Sequence, residues 1–383
     1  MNLLFFLYWS AAALIISVWI LYPILLWLLV NIRKSFTDLN LKVDYQAVSV
    51  IVAAHNEAVN LSGRITNIFE SDYPASKIEV VIVSDGSSDD TPSVIDKLKE
   101  NYPRINLVNI EHQGGRSNAH NVAIKHCTAE ILVFTDAETI FEPTFLKKII
   151  ESFQRPDVGF SSGVLKYRNQ SSNSVTESAG IYWRFENFLR EFESSLGVFV
   201  FGSGACCAVR RSLFRKIPPV GDVDFTTPLD VVLQGGKCVH VPDAIAYDDM
   251  PNTPEREFNA RVRMTAKNLY GTIERWGLKG VFAHPIYTLV IFFHKIGRWL
   301  MPFLMIALFF SNIMLLSEGH VYSIFFVLHV VFYLLAFAGY KKLNVPLARS
   351  SYSFCLANIG FFIGVLKAAT GRVPNLYKPV SQS

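Results

Sequence analysis

Nothing in the cysteine pattern of this chain resembles a metal-ligand set or a disulfide framework. The five cysteines (Cys127, Cys206, Cys207, Cys238 and Cys355) lack the paired spacing of a zinc site. Their odd number points to reduced thiols, and the adjacent Cys206 and Cys207 are expected to be small packing residues rather than a redox pair. Charge is scarce too: Asp, Glu, Lys and Arg make up 18% of the 383 residues against 51% hydrophobic ones, with a net charge of +4. There is no basic–aromatic nucleic-acid motif, and the basic residues gather beside apolar segments, which favours anionic lipid headgroups over nucleic acid as partners. No internal repeat is present.

The apolar excess is concentrated at the two ends. Residues 3–30 contain no charge and exceed the roughly 20 residues that cross a bilayer. A cleaved signal peptide would want a basic start and a shorter apolar core, so a retained span is expected. Arg33 and Lys34 follow at once, which places the amino terminus outside and the central region in the cytoplasm. After a polar linker at 35–46, the soluble region runs to about Trp276, giving expected segments of 1–34, 35–276 and 277–383. In the last, 281–298 is broken by His284, Pro285, His294, Lys295 and Arg298 and is expected to lie at the interface. Residues 299–316 and 321–340 are expected spans, with Lys341, Lys342 and Arg349 after the second. Residues 350–366 fit either a further span or a re-entrant helix, since a full crossing would leave Lys367, Arg372 and Lys378 outside.

In the middle region, short apolar runs near 48–54, 78–84, 105–109 and 130–135 alternate with helical patterns. That alternation predicts an α/β domain with a mostly parallel sheet covered on both faces. A helix is expected over 175–194, after the polar loop Ser171–Ser174. The first run ends at Ala54, His55, Asn56 and Glu57; the second runs into Ser84, Asp85 and Gly86. Thr91 and Pro92 fit a helix N-cap and first helical position, which leaves Asp85 unexplained by local structure. A carboxylate there can accept hydrogen bonds from a nucleobase or ribose. Gly114 and Gly115 allow close backbone approach, and Arg116 after them can pair with phosphate or be merely solvated. The fourth run ends in Asp136 and Glu138, an acidic pair at the sheet's carboxyl edge, where α/β proteins bind ligands. Hard cations prefer such oxygen ligands together with substrate phosphates.

These four motifs, in this order and spacing, resemble a membrane-bound family-two inverting glycosyltransferase with a GT-A (Rossmann-like) catalytic domain. The resemblance covers most of the chain and extends to His294, Lys295, Arg298, Trp299 and Pro302. It implies that Asp85 holds the nucleotide base within a donor site that also takes in Ala54, Asn56, Glu57, Gly115, Arg116 and Asp136. Asp136 and Glu138 would anchor magnesium or manganese with the diphosphate; the family usually has aspartate where Glu138 stands. The catalytic base is expected in Gly221–Leu229, eleven residues before Gly235. That register selects Asp224 over its competitor Asp222, with Val223 in place of the usual first acid. The bland alternative is N-terminal capping of a helix.

Gly202–Arg211 resembles the acceptor-side segment. The helix with Tyr182, Trp183, Glu186 and Arg190 could line the acceptor path, but its aromatic residues are expected rather to pack in the core or face the membrane. Arg261 and Arg263 match the arginines of a motif found in processive members, with Met264 where that motif carries tryptophan. They would neutralise the leaving diphosphate or bind headgroups. The implied function is metal-dependent, inverting transfer of a hexosyl or N-acetylhexosaminyl group from a nucleotide-diphosphate sugar to a membrane-associated, lipid-linked or glycan acceptor. The setting would be polysaccharide or glycolipid assembly at the cell membrane. A processive synthase and a non-catalytic nucleotide-binding subunit are the alternatives.

Overall fold

The computed structural model describes residues 2–32, 45–168, 174–249 and 253–373. Arg33, Lys34, most of the linker, Ser171–Asn173 and Lys378 lie outside the described residues, as does the side chain of Tyr182. The chain begins with α1 (Asn2–Ile32), an apolar helix long enough to span a membrane. A π-helical turn, Ser17–Leu21, interrupts it.

Eight strands then form one mixed sheet: β1 (Val48–Ala54), β2 (Ile78–Asp85), β3 (Ile105–Ile110), β4 (Ile131–Asp136), β5 (Ile140–Phe141), β6 (Val158–Tyr167), β7 (Cys207–Arg210) and β8 (Lys237–Asp248). Their order is β3-β2-β1-β4-β7-β6-β8-β5. The first four are parallel, as their near-continuous apolar runs predict. Successive side chains point to opposite faces. Val48, Val50 and Val52 pack with Ile131 and Val133 in one core, while Ile51, Val81, Leu132 and Phe134 face the other. Between and around the strands lie α2 (Ala58–Phe69), α3 (Thr91–Asn101), α4 (Arg116–Ala123), α5 (Phe145–Glu151), α6 (Ser174–Ser195) and α7 (Val223–Leu233). The strand order reverses direction between β1 and β4, so a crevice opens at their carboxyl ends. Ala53 is in register with Asp136, and Ala54 with Ser84.

The sheet's second half differs from a simple parallel expectation: β7 is antiparallel to both β4 and β6, and β5 to β8. Cys206 and Cys207 are fully buried free thiols, as expected of packing residues.

After the sheet come α8 (Pro254–Arg275), α9 (Gly277–Ala283), α10 (Pro285–Trp299), α11 (Met301–Met314), α12 (His320–Tyr340) and α13 (Ala348–Ala369). By length and composition α1, α12 and α13 are candidate spans. The α10–α11 pair, bent by 61°, is a broken span or a re-entrant loop. The interfacial segment expected at 281–298 is thus mostly α10, whose last two turns turn inward.

Hydropathy alone left 350–366 open; packing adds that α13 docks along α8. Gly360 lies against Arg261 and Phe258, and a Cβ on Gly364 would come within 2.6 Å of Thr265 Cβ. Two glycines four residues apart let the helices approach closely. Gly364→Leu should therefore force α13 off α8. The expected cost is about 1–3 kcal/mol, seen as earlier thermal unfolding and faster proteolysis after residue 341 in detergent; unchanged stability would contradict the docking.

Candidate active site

The loops after β1, β2 and β4 converge on the crevice. Asn56 takes a left-handed conformation (φ 59°). Its Oδ1 accepts from Ser88 N at 2.8 Å, tying the β1 loop to the β2 loop. Glu57 N donates to Thr91 Oγ1 at 2.9 Å. This corrects the expected cap: α3 begins at Thr91 with Asp90 as N-cap residue, and the threonine hydroxyl serves the neighbouring loop. Asp89 meanwhile accepts from Thr91 N at 3.0 Å.

Asp85 stands at the end of β2, 4% exposed. Its Oδ1 accepts from Gly114 N at 2.9 Å and its Oδ2 from Gly115 N at 2.8 Å. Gly115, at φ 84°, precedes the first residue of α4. Asp85 therefore shapes the turn that projects Arg116, a contact the sequence did not reveal. Each carboxylate oxygen keeps a further lone pair for a ligand.

Arg116 forms an ion pair with Asp136 through Nη2 and Oδ1. Across the cleft, a Cβ on Gly204 would sit 3.4 Å from both Arg116 Nη2 and Asp224 Oδ1, so Gly204 keeps the arginine and Asp224 side by side. Burial opposes the arginine's charge, but Asp136, Asp222 and Asp224 outweigh it and hold its pKa above the ordinary value.

The two candidate bases differ in surroundings. Asp222 is the N-cap residue of α7, and its Oδ1 accepts from Lys267 Nζ at 2.7 Å. Asp224, in the first turn, faces Gly204 and Arg116. Burial, then the charge of Asp222, raises the Asp224 pKa, while Arg116 and Arg190 act against the rise. Lys267 was missed from sequence. It lies one turn beyond Arg263 on α8, and no local pattern ties it to Asp222, 45 residues earlier.

A second acidic group surrounds Asp136. Burial first, then Asp248, Asp136 and Glu57, push Glu138 up to about 7. Burial likewise raises Asp248 to about 6, with Asp136 contributing, and raises Glu57. Crowded carboxylates that resist ionisation are what a divalent cation relieves. Among the described residues no three His, Cys, Asp or Glu side chains form a metal cage by themselves. The carboxylates present fit a hard cation that takes one or two of them and completes its shell with diphosphate oxygens and water.

Arg261 Nε donates to Glu257 Oε1 at 2.6 Å, and its guanidinium lies 5.7 Å from the Phe361 ring of α13. Arg263 is half-buried, and Met264 beside it is 43% exposed. Trp183 is tilted against Tyr167 at 5.4 Å, with Arg190 5.6 Å from its ring.

A family model described as Glycosyl transferase family 2 matches residues 49–218. Curated relatives include an N-acetylglucosaminyltransferase of Bradyrhizobium diazoefficiens, 25% identical over 247 residues, covering 61% of this chain and 51% of that protein. Another is the poly-beta-1,6-N-acetyl-D-glucosamine synthase of Staphylococcus aureus, 31% identical over 158 residues, covering 40% of this chain and 37% of that protein. The chain thus spans about half, or less, of the length of these relatives. Among solved structures, mannosyltransferase PcManGT from Pyrobaculum calidifontis, in complex with GDP-Man and Mn2+, shares the fold at a TM-score of 0.72 and 22% identity. That match covers 96% of this chain and 99% of the other. With a GT-A sheet, an acidic pair after β4 and flanking apolar helices, the chain carries over residues 49–218 a region that matches glycosyl transferase family 2.

Proposed function

We propose that this protein transfers one hexosyl or N-acetylhexosaminyl group, with inversion, from a nucleotide-diphosphate sugar to a membrane-associated, lipid-linked acceptor. The observation that carries the reading is the meeting of Asp136, Arg116 and Asp224 across Gly204, at the sheet's switch point. Asp85, whose oxygens hold the Gly114 and Gly115 N–H groups, offers its remaining lone pairs to the nucleotide. Asp136 and Glu138 would hold magnesium or manganese, which offsets charge on the departing diphosphate when bound. Arg116 sits between donor and base, where it can pair with the diphosphate in exchange for Asp136. Asp224 takes the acceptor hydroxyl's proton as that oxygen attacks the anomeric carbon from the face opposite the nucleotide. The C–O bond to the diphosphate breaks with its electron pair on the leaving group.

Residues 35–276 form the catalytic domain in this reading, facing the cytoplasm. The apolar helices α1 and α10–α13 hold it at the cell membrane, where a lipid-linked acceptor arrives. A second reading, processive polymer synthesis, draws on the name of the Staphylococcus aureus relative. The exposed Met264, in place of an aromatic platform for a sugar, weighs against it.

The test is nucleotide-diphosphate release by the detergent-purified protein with uridine- and guanosine-diphosphate sugars, magnesium or manganese, and native lipid extract. Release with one donor, and a product extended by one sugar, is the expected result. A product ladder would favour the processive reading. Donor binding without release in any lipid would favour a non-catalytic subunit.

A further inference from the structure

The segment His294–Trp299 has no part in the chemistry above, yet it holds the densest buried charge cluster among the described residues. A π-helical turn, Phe292–Ile296, interrupts α10 and turns both His294 and Lys295 toward α6. His294 Nδ1 lies 2.7 and 2.8 Å from the two Glu193 oxygens, and its Nε2 lies 3.0 Å from Glu186 Oε1. Glu186 also accepts from Arg298 at 2.9 Å, from Arg190 at 3.1 Å and from Lys295. Tyr22 of α1 donates to Glu193 Oε1 at 2.6 Å. His294 is 0%, Glu186 1%, Glu193 0% and Arg298 2% exposed.

This cluster touches the residues that hold Asp224. The Phe201 ring lies 4.9 Å from His294, 5.4 Å from Lys295 Nζ and 5.0 Å from Phe225. Phe225, next to Asp224 in the chain, packs on Trp299 at 5.8 Å. Gly202 N, one residue after Phe201, donates to the Asp224 carbonyl at 2.9 Å. Arg190, held by Glu186, is one of the charges acting on the Asp224 carboxyl. Phe225 and the Asp224 carbonyl thus rest, directly or through Phe201 and Gly202, on side chains of α10. A fully satisfied buried network is rigid and admits one arrangement.

We infer that Lys295 and Trp299 are positioning residues: with the buried Glu186–His294 cluster, they fix Asp224 against the acceptor hydroxyl and join catalytic geometry to the membrane helices. The inference rests on the reading of Asp224 as base.

The experiment compares full-length Trp299→Ala, Trp299→Phe, Lys295→Met and Asp224→Asn in nanodiscs. It measures donor affinity by calorimetry, thermal unfolding, and turnover by nucleotide-diphosphate release. Trp299→Ala and Lys295→Met should keep donor affinity while turnover falls about 10²-fold, the scale of a misplacement near 1 Å; Trp299→Ala, which deletes a buried ring, should also melt earlier. Trp299→Phe, which keeps a ring against Phe225, should recover most of it. Wild-type turnover in Trp299→Ala and Lys295→Met beside an inactive Asp224→Asn would overturn the positioning role alone. So would a parallel loss of affinity, stability and turnover without recovery in Trp299→Phe. Turnover by Asp224→Asn would overturn the base assignment and this inference with it.

Discussion

Asp224→Asn should lower turnover by roughly 10²–10⁴-fold, the span attributed to a positioned general base, while donor affinity stays at the wild-type value. The amide keeps the shape of the carboxyl and its place beside Gly204 but takes up no proton. The same substitution should raise the unfolding temperature at neutral pH. Burial and the Asp222 charge raise the Asp224 pKa in the folded protein above its unfolded value. Stability from this group is therefore complete below the unfolded pKa and is lost as pH rises through the folded one. At pH 7 the wild type carries that cost and the asparagine variant does not. In the wild type, turnover should fall as pH drops through the raised pKa, so the acid limb lies above that of an exposed aspartate. Calorimetric affinity, a melting curve and a pH–rate profile check the three statements. Full turnover by the variant would remove Asp224 from the mechanism.

Asp136→Ala should abolish metal-dependent donor binding. In the wild type, adding manganese to protein and donor should tighten binding by about tenfold or more, which corresponds to about 1.4 kcal/mol. In the variant, affinity with manganese and with chelator should coincide. Removing Asp136 also frees Arg116 from its ion pair, so the metal-independent component should hold or rise as the arginine turns to the diphosphate. Titrations of one donor with manganese and with chelator separate the effects. An undiminished manganese response in the variant would move the cation site elsewhere in the acidic group.

The first half of the sheet was legible because parallel strands covered on both faces are written as unbroken apolar runs, and each ends in a polar signal. Val48–Ala54 ends at Asn56, Ile78–Asp85 at its own aspartate and Ile131–Asp136 at the acidic pair. The antiparallel half was not legible. Cys207–Arg210 is four residues long and Ile140–Phe141 two, too short for any period to show. At the site, the residue types were visible but their partnerships were not. Asp85 gripping the Gly114–Gly115 amides and Lys267 reaching Asp222 both cross large gaps in sequence, and nothing local marks them. The buried cluster escaped for a related reason. His294, Lys295 and Arg298 look like an interfacial basic stretch until the π-helical turn and the carboxylates of α6 are known.

The tie between Tyr22 and Glu193 also has a timetable. Its partners are separated by 171 residues. At about 5–20 residues per second of synthesis, the tyrosine waits roughly 10–30 s for its carboxylate to be made. On the proposed membrane reading, the helix carrying it settles in lipid before then. A charge at that position would spend the interval buried without a counterion, which is costly in a bilayer; a phenol within an apolar helix, ten residues short of its end, waits at a lower cost. The first helix therefore contributes a neutral hydroxyl to a network whose charges all lie on segments made later, and its uncharged stretch is a condition for the order of assembly.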